Sequence, residues 1–381
     1  MRFEEAYEGW TEKCFTQEEA ARLLAVSDRT FRRYLAKYKE QGIEGLIDKR
    51  IEQISHRRAP VDEVLSLTTL YKTRYSGWNV KHFFSFYKKQ HSGKRGYTWV
   101  KKTLQHEGLV AKSSKKGTHR KKRERAALAG MMLHQDGSDH HWVAGERWDL
   151  IVTMDDATST HYSMFFVEEE GTASSFQGVK EVIENHGLFC SLYTDRGHHY
   201  WHTPEVGSPV DKLQLTQFGR AMRQLGIEMI PAYSPEARGR SERAFRTHQE
   251  RLPKELAIYG ITTMTEANEY LKKIYMPAFN AEFSVPAASE GSAFVPWING
   301  AVDEILCEQY ERTVRKDNCV SFEGLILQIP KDNNRCHYNK VKVRVHRYMT
   351  GQLAIFHGPR KLADYDSKGH IKDLLNKKQA A

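Results

Sequence analysis

The stretch "FCSLYTDRGHHYWH" (residues 189–202) begins as a strand and ends on an acidic side chain. Residues 189–193 are strand formers that fit the middle of a sheet, and the run stops at Asp195 with Gly197 close behind. A carboxylate at the end of a buried strand costs free energy unless a partner offsets its charge. The partner could be an ordinary turn, an ion pair or a metal ion.

Length and charge narrow the class of protein. The chain has 381 residues and a formal net charge of +10, which favours two to four modules and an anionic partner, most commonly nucleic acid. A ribosomal or membrane-surface protein would show a similar balance. No apolar run is long enough to cross a bilayer, the N-terminus is acidic where a signal peptide would be basic, and the five cysteines form no C-x-x-C pair. We therefore expect a reduced cytoplasmic protein that associates with nucleic acid and not with a membrane.

The first module, residues 1–52, is predicted to be a helix-turn-helix DNA-binding domain. "AVS" (residues 25–27) makes a tight break, Ser27 can cap the second helix, and Phe31 and Leu35 belong to its apolar stripe. The opposite side of that helix is basic, with Arg29, Arg32, Arg33 and Lys37. Such a helix is typical of one that lies in the major groove, and the alternative is a solvated basic face on a helical hairpin.

A second helix-turn-helix DNA-binding domain is predicted for residues 57–111. Its last helix carries "KRGYTWVKKTLQHEGLV", with Lys101 and Lys102 pointing outward and a glycine stop at Gly108. Residues 112–128 are predicted to be a basic linker, for which a solubilising tether and phosphate contact are equally good interpretations.

Residues 129–288 change to alternating strands and helices. The predicted order is three strands, a helix, a strand, a helix, a strand and then a long helix that is interrupted or bent near Pro253. This order predicts a mixed α/β sheet with helices packed against it. Residues 300–365 are strand-rich and predict a small β-barrel or sandwich, with Lys342, Arg344 and His346 on a basic outer face. Residues 366–381 form a basic tail that is expected to be poorly ordered. The predicted architecture is thus multidomain: an all-α tandem helix-turn-helix, an α/β core and a small C-terminal barrel.

Three acidic residues in the core region form the candidate catalytic site. Asp136 lies in the first strand, Asp195 ends the fourth, and Glu242 opens the long helix. If the first and fourth strands are neighbours, the two aspartates meet, and the helix can bring the glutamate to them. Three oxygen donors with open positions suit Mg²⁺ or Mn²⁺ and make a poor zinc site. Taken singly, each has an ordinary alternative: a turn for the aspartates and a surface ion pair for the glutamate.

At these residues the sequence resembles a known family. "HQDGSDHHW", "DDATS", "LYTDRG" and "TQFGRAMRQLGIEMIPAYSPEARGRSERAFRTHQERL" are similar to the catalytic core of DDE transposases of bacterial insertion sequences, nearest the ISNCY kind and related to retroviral integrases. The resemblance extends over most of the chain. Gly197 and Arg238 depart from the family pattern without removing a carboxylate.

The resemblance implies an RNase H-like core and a transposase that cleaves and joins DNA strands. It implies that Asp136, Asp195 and Glu242 bind the catalytic metal, with two Mg²⁺ (or Mn²⁺) ions per active site. Double-stranded DNA, as terminal inverted repeats and target, is the implied partner, and a homo-oligomer assembled on that DNA is implied as well. Four arginines near Glu242 are expected to contact phosphates, with ion pairing along the helix as the alternative: Arg238, Arg240, Arg243 and Arg246.

Several interpretations compete with this one. Asp155 or Asp156 could replace Asp136 as a ligand, although a structural turn is favoured. Six histidines could suggest zinc, although surface or DNA-proximal positions are favoured: His134, His140, His141, His198, His199 and His202. The rival functions are a catalytically silent DNA-binding regulator derived from a transposase, a nuclease of the RNase H or resolvase type, and a structural basic protein.

Overall fold

The computed structural model describes residues 2–48, 58–112, 124–204, 209–233, 239–331 and 335–372. The chain divides into two compact units, Met1–Arg74 and Tyr75–Ala381. Most of the predicted linker and the C-terminal part of the predicted tail lie outside the described residues.

The first unit is helical. Its elements are α1 (Phe3–Thr11), α2 (Gln17–Leu23), α3 (Asp28–Gln41), a 3₁₀ turn (Gly42–Leu46) and α4 (Val61–Arg74). The predicted break after α2 is present, with Ala25 at a φ of 54°, and the Ser27 side chain accepts a hydrogen bond from the Thr30 amide. Phe31 and Leu35 of α3 are buried against Ala20 and Ala21 of α2. The helices α1 and α4 were not predicted.

The second unit combines helices with three sheets. Its helices are α5 (Val80–Gln90), α6 (Tyr97–His106), α7 (Thr172–His186), α8 (Gln217–Leu225), α9 (Gly239–Ile258), α10 (Met264–Tyr270) and α11 (Met276–Phe283), with a π-helical segment (Leu271–Tyr275) between the last two. Its strands are β1 (Met132–Val143), β2 (Glu146–Asp155), β3 (His161–Val167), β4 (Ser191–Thr194), β5 (Glu228–Pro231), β6 (Glu308–Thr313), β7 (Cys319–Phe322), β8 (Leu325–Gln328), β9 (Lys342–Arg347), β10 (Leu353–His357) and β11 (Arg360–Tyr365).

The central sheet has the predicted mixed topology. Its order is β3-β2-β1-β4-β5; β1, β2 and β3 pair antiparallel, whereas β4 runs parallel to both β1 and β5. Apolar side chains of α7 and α8 pack in one hydrophobic cluster with Leu133 and Leu192. Side chains of α9, α10 and α11 pack in a second cluster with Val152 and Met164. Helices therefore cover both faces, and the expected first-to-fourth strand pairing is present.

Two details of the predicted fold need correction or remain open. The helix α9 continues through Pro253, so the predicted interruption there is wrong, and the alternative, a bend, stays a prediction. The missing N–H of a proline removes one hydrogen bond, and the buried Leu252 and Leu256 on either side hold the helix to the core. In the C-terminal part, the described strands form a four-stranded sheet, β11-β10-β9-β6, and a separate hairpin, β7-β8, and a closed barrel is not confirmed.

His346 does not lie on a basic outer face. It is 3% exposed, and its ring stacks on Phe356 with the ring centroids 4.1 Å apart. Burial, with the nearby Arg344, lowers the pKa of His346 to about 3. The side chains along β9 alternate between the two faces of the sheet as predicted. The second face is also covered, because Gln217 of α8 hydrogen-bonds to the backbone of Gln309 in β6. Among the described residues, no helix is both long and apolar enough to cross a membrane.

Two buried histidines tie β3 to α9. His161 and His248 are 2% and 0% exposed, and their Nε2 atoms lie 3.0 Å apart. His248 Nδ1 lies 3.0 Å from the Tyr275 hydroxyl. Burial lowers the pKa of His161 to about 4 and that of His248 well below its ordinary value. Both imidazoles are therefore neutral in the folded protein.

Folding stability is expected to fall as the pH is lowered from about 6.5 toward 4. In that range these histidines bind protons in the unfolded chain but stay unprotonated in the folded protein. The free energy of unfolding therefore increases as the pH rises. His161 alone contributes roughly 3 kcal/mol over the window. Urea unfolding at pH 7, 6 and 5 measures this slope. His161→Gln should flatten it, the exposed His141→Gln should not, and equal slopes in all three proteins would contradict the assignment.

Candidate functional site

Asp136 and Asp195 lie side by side at the centre of the sheet. The parallel pairing of β1 and β4 sets Met132 beside Ser191 and His134 beside Tyr193. Continuing this register by two residues sets Asp136 beside Asp195, one residue beyond the last residue of β4. The topology therefore brings together two acids that are 59 positions apart in the chain, as the sequence predicted.

The same two acids share one face of the sheet. Successive side chains of a strand alternate between faces, so Asp136 shares its face with His134, and Asp195 with Tyr193. The rings of His134 and Tyr193 are neighbours, with centroids 5.1 Å apart. The helix α9 lies on this face, because Gln249 Nε2 donates to Ser138 Oγ at 3.0 Å. Asp136 is 8% exposed, so its carboxylate lies at the edge of the core.

Glu242 lies in the first turn of α9, the helix that crosses this face, and it is exposed. The described ranges contain no group of three or more His, Cys, Asp or Glu side chains arranged to hold a metal ion. The structure thus brings two of the three predicted ligands together and places the third on the adjoining helix.

Asp155 and Asp156 occupy the turn after β2, and both are fully buried. Asp155 accepts hydrogen bonds from the Gly130 and Thr158 amides, at 2.9 and 2.7 Å. Asp156 accepts one from the Ala126 amide at 2.7 Å. Each carboxylate is engaged by protein donors at both oxygens, which is the pattern of residues that fix a turn.

A buried polar network joins this turn to β1 and α9. Asp156 Oδ1 lies 2.7 Å from His134 Nε2 and also accepts from the Arg240 guanidinium. His134 is 2% exposed, so its predicted surface position is wrong, and its buried partner lies 22 positions away in the chain. Of the other histidines, His141 and His198 are exposed and His140, His199 and His202 are partly buried. Arg240 has a structural partner that its local sequence did not reveal.

The edge beyond Asp136 and Asp195 contains two residues that sequence reasoning missed. Glu170 precedes α7, and its carboxylate lies against Gly137. Tyr200 is fully buried, and its hydroxyl donates to Gln135 Oε1 at 3.1 Å. Burial raises the pKa of Tyr200 well above its ordinary value, and the charges of Glu170, Asp136 and Asp195 raise it further. All three acids therefore act on one buried hydroxyl.

Most of the predicted DNA-contacting side chains are accessible. Arg29, Arg32, Arg33 and Lys37 are exposed along α3, as are Arg243 and Arg246 along α9, while Lys102 is exposed and Lys101 half-buried on α6. Arg238 lies outside the described residues. The four side chains of α3 point away from the buried Phe31 and Leu35, so this helix presents one basic and one apolar face.

The helix α5 is attached to the core by buried polar contacts. His82 is 1% exposed, and its Nε2 lies 2.7 Å from Glu255 Oε1 of α9. The other carboxylate oxygen of Glu255 accepts from the Tyr270 hydroxyl at 2.5 Å. Burial lowers the pKa of His82, although hydrogen bonding to Glu255 opposes that shift. The helix α5 is thus attached to α9 of the α/β core.

The site and fold define a protein with a helical N-terminal region, in which α3 carries a basic face, and a mixed α/β core that carries acidic residues at neighbouring strand positions. Comparison with known proteins agrees with this class. Residues 5–63 match a family model described as a winged helix-turn helix. The transposase for insertion sequence IS1202 of Streptococcus pneumoniae is 26% identical over 399 aligned positions, which cover 95% of this chain and 83% of that protein. The protein y4bF of Sinorhizobium fredii, provisionally named a transposase, is 28% identical over 350 positions, 89% of this chain and 75% of that protein.

A solved structure is also similar. In the simian T-cell lymphotropic virus intasome bound to the PP2A regulatory subunit B56 gamma, one chain matches 77% of this chain and 97% of its own length, at 14% identity and a TM-score of 0.33. A score this low does not by itself establish a shared fold. The two sequence relatives confirm that the chain resembles transposases of insertion sequences along nearly its whole length.

Proposed function

We propose that this protein is a DNA transposase that binds the ends of a transposable element and catalyses phosphodiester hydrolysis and strand transfer with a DDE carboxylate triad. The observation that supports the proposal is the parallel pairing of β1 and β4, whose register, continued past Thr194, sets Asp195 beside Asp136 on the face covered by the helix that carries Glu242 in its first turn. The similarity to two transposases over most of the chain supports it.

The acids fit a divalent metal by their chemistry. Two carboxylates side by side at the edge of a core repel each other, and a hard cation with oxygen ligands offsets that repulsion. Asp136, Asp195 and Glu242 would hold Mg²⁺ or Mn²⁺, two ions per site, because carboxylate oxygens suit these hard cations better than they suit zinc. When bound, these ions supply charge stabilisation for the attacking and leaving oxygens of a phosphodiester.

The protein's own residues would position the DNA. Arg243 and Arg246 project from the helix that bears Glu242, and guanidinium groups match the geometry of phosphate oxygens. Arg238 and Arg240 are proposed to share this role, and Arg240 is in addition paired with Asp156. Lys101 and Lys102 of α6 are proposed to contact the DNA backbone from a helical pair that α5 holds against the core. A homo-oligomer on paired DNA ends belongs to the same proposal.

Incubation of the full-length protein and Mg²⁺ with a plasmid that carries the two ends of its element tests the function. A transposase yields free 3′-hydroxyl ends and products in which those ends are joined to target DNA. Cutting without joining would favour the nuclease, and end binding without cutting would favour the silent regulator. Matching inverted repeats in the DNA that flanks the coding sequence identify the substrate.

The basic face of α3 is expected to carry much of the affinity for those ends. Replacing Arg29, Arg32 and Arg33 with alanine removes three exposed cations, which should weaken binding by about tenfold or more and reduce the salt dependence by roughly three ions. Fluorescence anisotropy with labelled duplex over a salt series measures both quantities. The matched control removes three exposed cations from elsewhere in the same unit, Arg58, Lys72 and Arg74. Equal losses in the two triple variants would contradict recognition by α3.

A further inference from the structure

Beyond the end of β4, the neighbour of β1 is a loop instead of a strand. The strand β4 has four residues and β1 has twelve, so β1 continues past Asp136 without a parallel partner on that side. The chain turns back at Gly197, whose amide donates to Asp195 Oδ1 at 2.8 Å. The amides of Tyr200 and Trp201 then donate to the Gly197 carbonyl, at 3.0 and 2.9 Å. This segment, residues 195–201, is called here the Asp195 loop.

Glu170 follows β3 and approaches Gly137 of β1 from the β2–β3 side of the sheet, whereas the Asp195 loop follows β4 on the other side of β1. A Cβ atom at Gly137 would overlap its carboxylate, lying 2.5 Å from Cδ and 3.1 Å from Oε1. The φ of Gly137 is not in the left-handed region, so backbone conformation does not require glycine there. A side chain at this position would instead displace the Glu170 carboxylate, so the observed place of that carboxylate against β1 depends on glycine. The Glu170 amide donates to Asp149 Oδ2 at 2.6 Å, which fixes the residue at the start of α7.

His199 of the Asp195 loop faces Glu170. Its side chain is 9% exposed, and its Nε2 lies 3.5 Å from Glu170 Oε1. Within the described part of the chain, this buried nitrogen has no hydrogen-bond partner. The same ring approaches Gly197: a Cβ there would lie 3.0 Å from His199 Cε1 and 3.0 Å from Asp195 Oδ1. The contact of His199 Nε2 with the Glu170 carboxylate is therefore an electrostatic one at ion-pair distance and not a hydrogen bond.

We propose that Glu170 is a positioning residue of the candidate site. Through His199 it holds the Asp195 loop against β1. Gly137, which has no side chain, leaves room for the Glu170 carboxylate. The inference rests on the proposed function for its consequence in catalysis. Glu170 does not touch the reacting phosphate in this scheme, and it acts by keeping Asp195 in register with Asp136. Groups that orient metal ligands commonly contribute about 10- to 100-fold to activity.

Gly137→Ala tests the packing, because the new methyl group displaces Glu170 without changing any charge. Gly137→Ala, Glu170→Gln and His199→Ala should each slow cleavage by about 10- to 100-fold while duplex binding is unchanged. The double variant Gly137→Ala/Glu170→Ala should cleave no more slowly than Glu170→Ala alone. Losses that multiply in the double variant would overturn the inference. The matched control is Gly171→Ala, which adds a methyl group beside Glu170 in open space and on extended backbone, and should leave cleavage intact.

Amide hydrogen exchange in the absence of metal gives a second readout. The amides of the Asp195 loop should exchange several-fold faster in Gly137→Ala and Glu170→Gln than in the parent, with the exchange of α9 unchanged. Unchanged exchange of the loop would overturn the inference even if cleavage fell. A failure of the proposed function looks different: Asp136→Asn would then cut DNA normally, whatever the loop does.

Discussion

Asp195→Asn is expected to abolish metal-dependent DNA cleavage and leave DNA binding intact. The substitution removes one negative charge from a site where two carboxylates share one face of adjacent strands. Loss of a metal-bound carboxylate removes several kcal/mol of charge stabilisation, on the order of a thousandfold or more in rate. Asparagine keeps an oxygen that can accept from the Gly197 amide, so the turn that follows is preserved.

The assay compares three proteins under single-turnover conditions with Mg²⁺. The control is Asp139→Asn, an exposed aspartate further along β1 that pairs with Arg147, and it should cleave like the parent. Duplex binding should be equal in all three, since the basic face of α3 is untouched. If Asp195→Asn cut DNA at the parental rate, the proposed triad would be wrong, whatever the affinity for DNA.

The adjacency of Asp136 and Asp195 was predictable because it depends on topology. Strand order and parallel direction decide which residues meet at a strand end. The prediction was conditional on the first and fourth strands being neighbours, and the structure meets that condition. The tight turn before α3 was predictable for a similar reason, since Ser27 and the apolar stripe of Phe31 and Leu35 are local signals.

The other features of the candidate site could not be predicted from the sequence, because they depend on contacts between residues that are far apart in the chain. His134 looked like a surface residue because its partner Asp156 and their shared cation Arg240 come from separate elements. His82 looked like part of a small helical domain because nothing near it in sequence indicates Glu255. Glu170 is the last of three successive glutamates, and its packing against Gly137 appears only once the sheet is assembled.

The pairing that sequence patterns missed most completely also has the largest expected effect on stability. Asp156 is fully buried and receives hydrogen bonds from Ala126, His134 and Arg240. It therefore joins the segment before β1, β1 itself and α9 at one point. Asp156→Ala leaves a buried imidazole and a guanidinium that is 15% exposed without their shared carboxylate. Breaking a buried ion pair in this way costs about 3–5 kcal/mol in the free energy of unfolding.

Equilibrium urea unfolding of the full-length protein, followed by tryptophan fluorescence, measures that cost. Asp156→Asn should lose less than Asp156→Ala, because the amide oxygen still accepts a hydrogen bond, and Asp139→Ala should unfold at the parental midpoint because its ion pair is exposed. A loss below about 1 kcal/mol for Asp156→Ala would mean that the network adds little beyond packing. Since α9 carries Glu242, Asp156→Ala should also cleave DNA more slowly than the parent under conditions where the variant remains folded. Cleavage at the parental rate by the folded variant would show that α9 keeps its place without this ion pair.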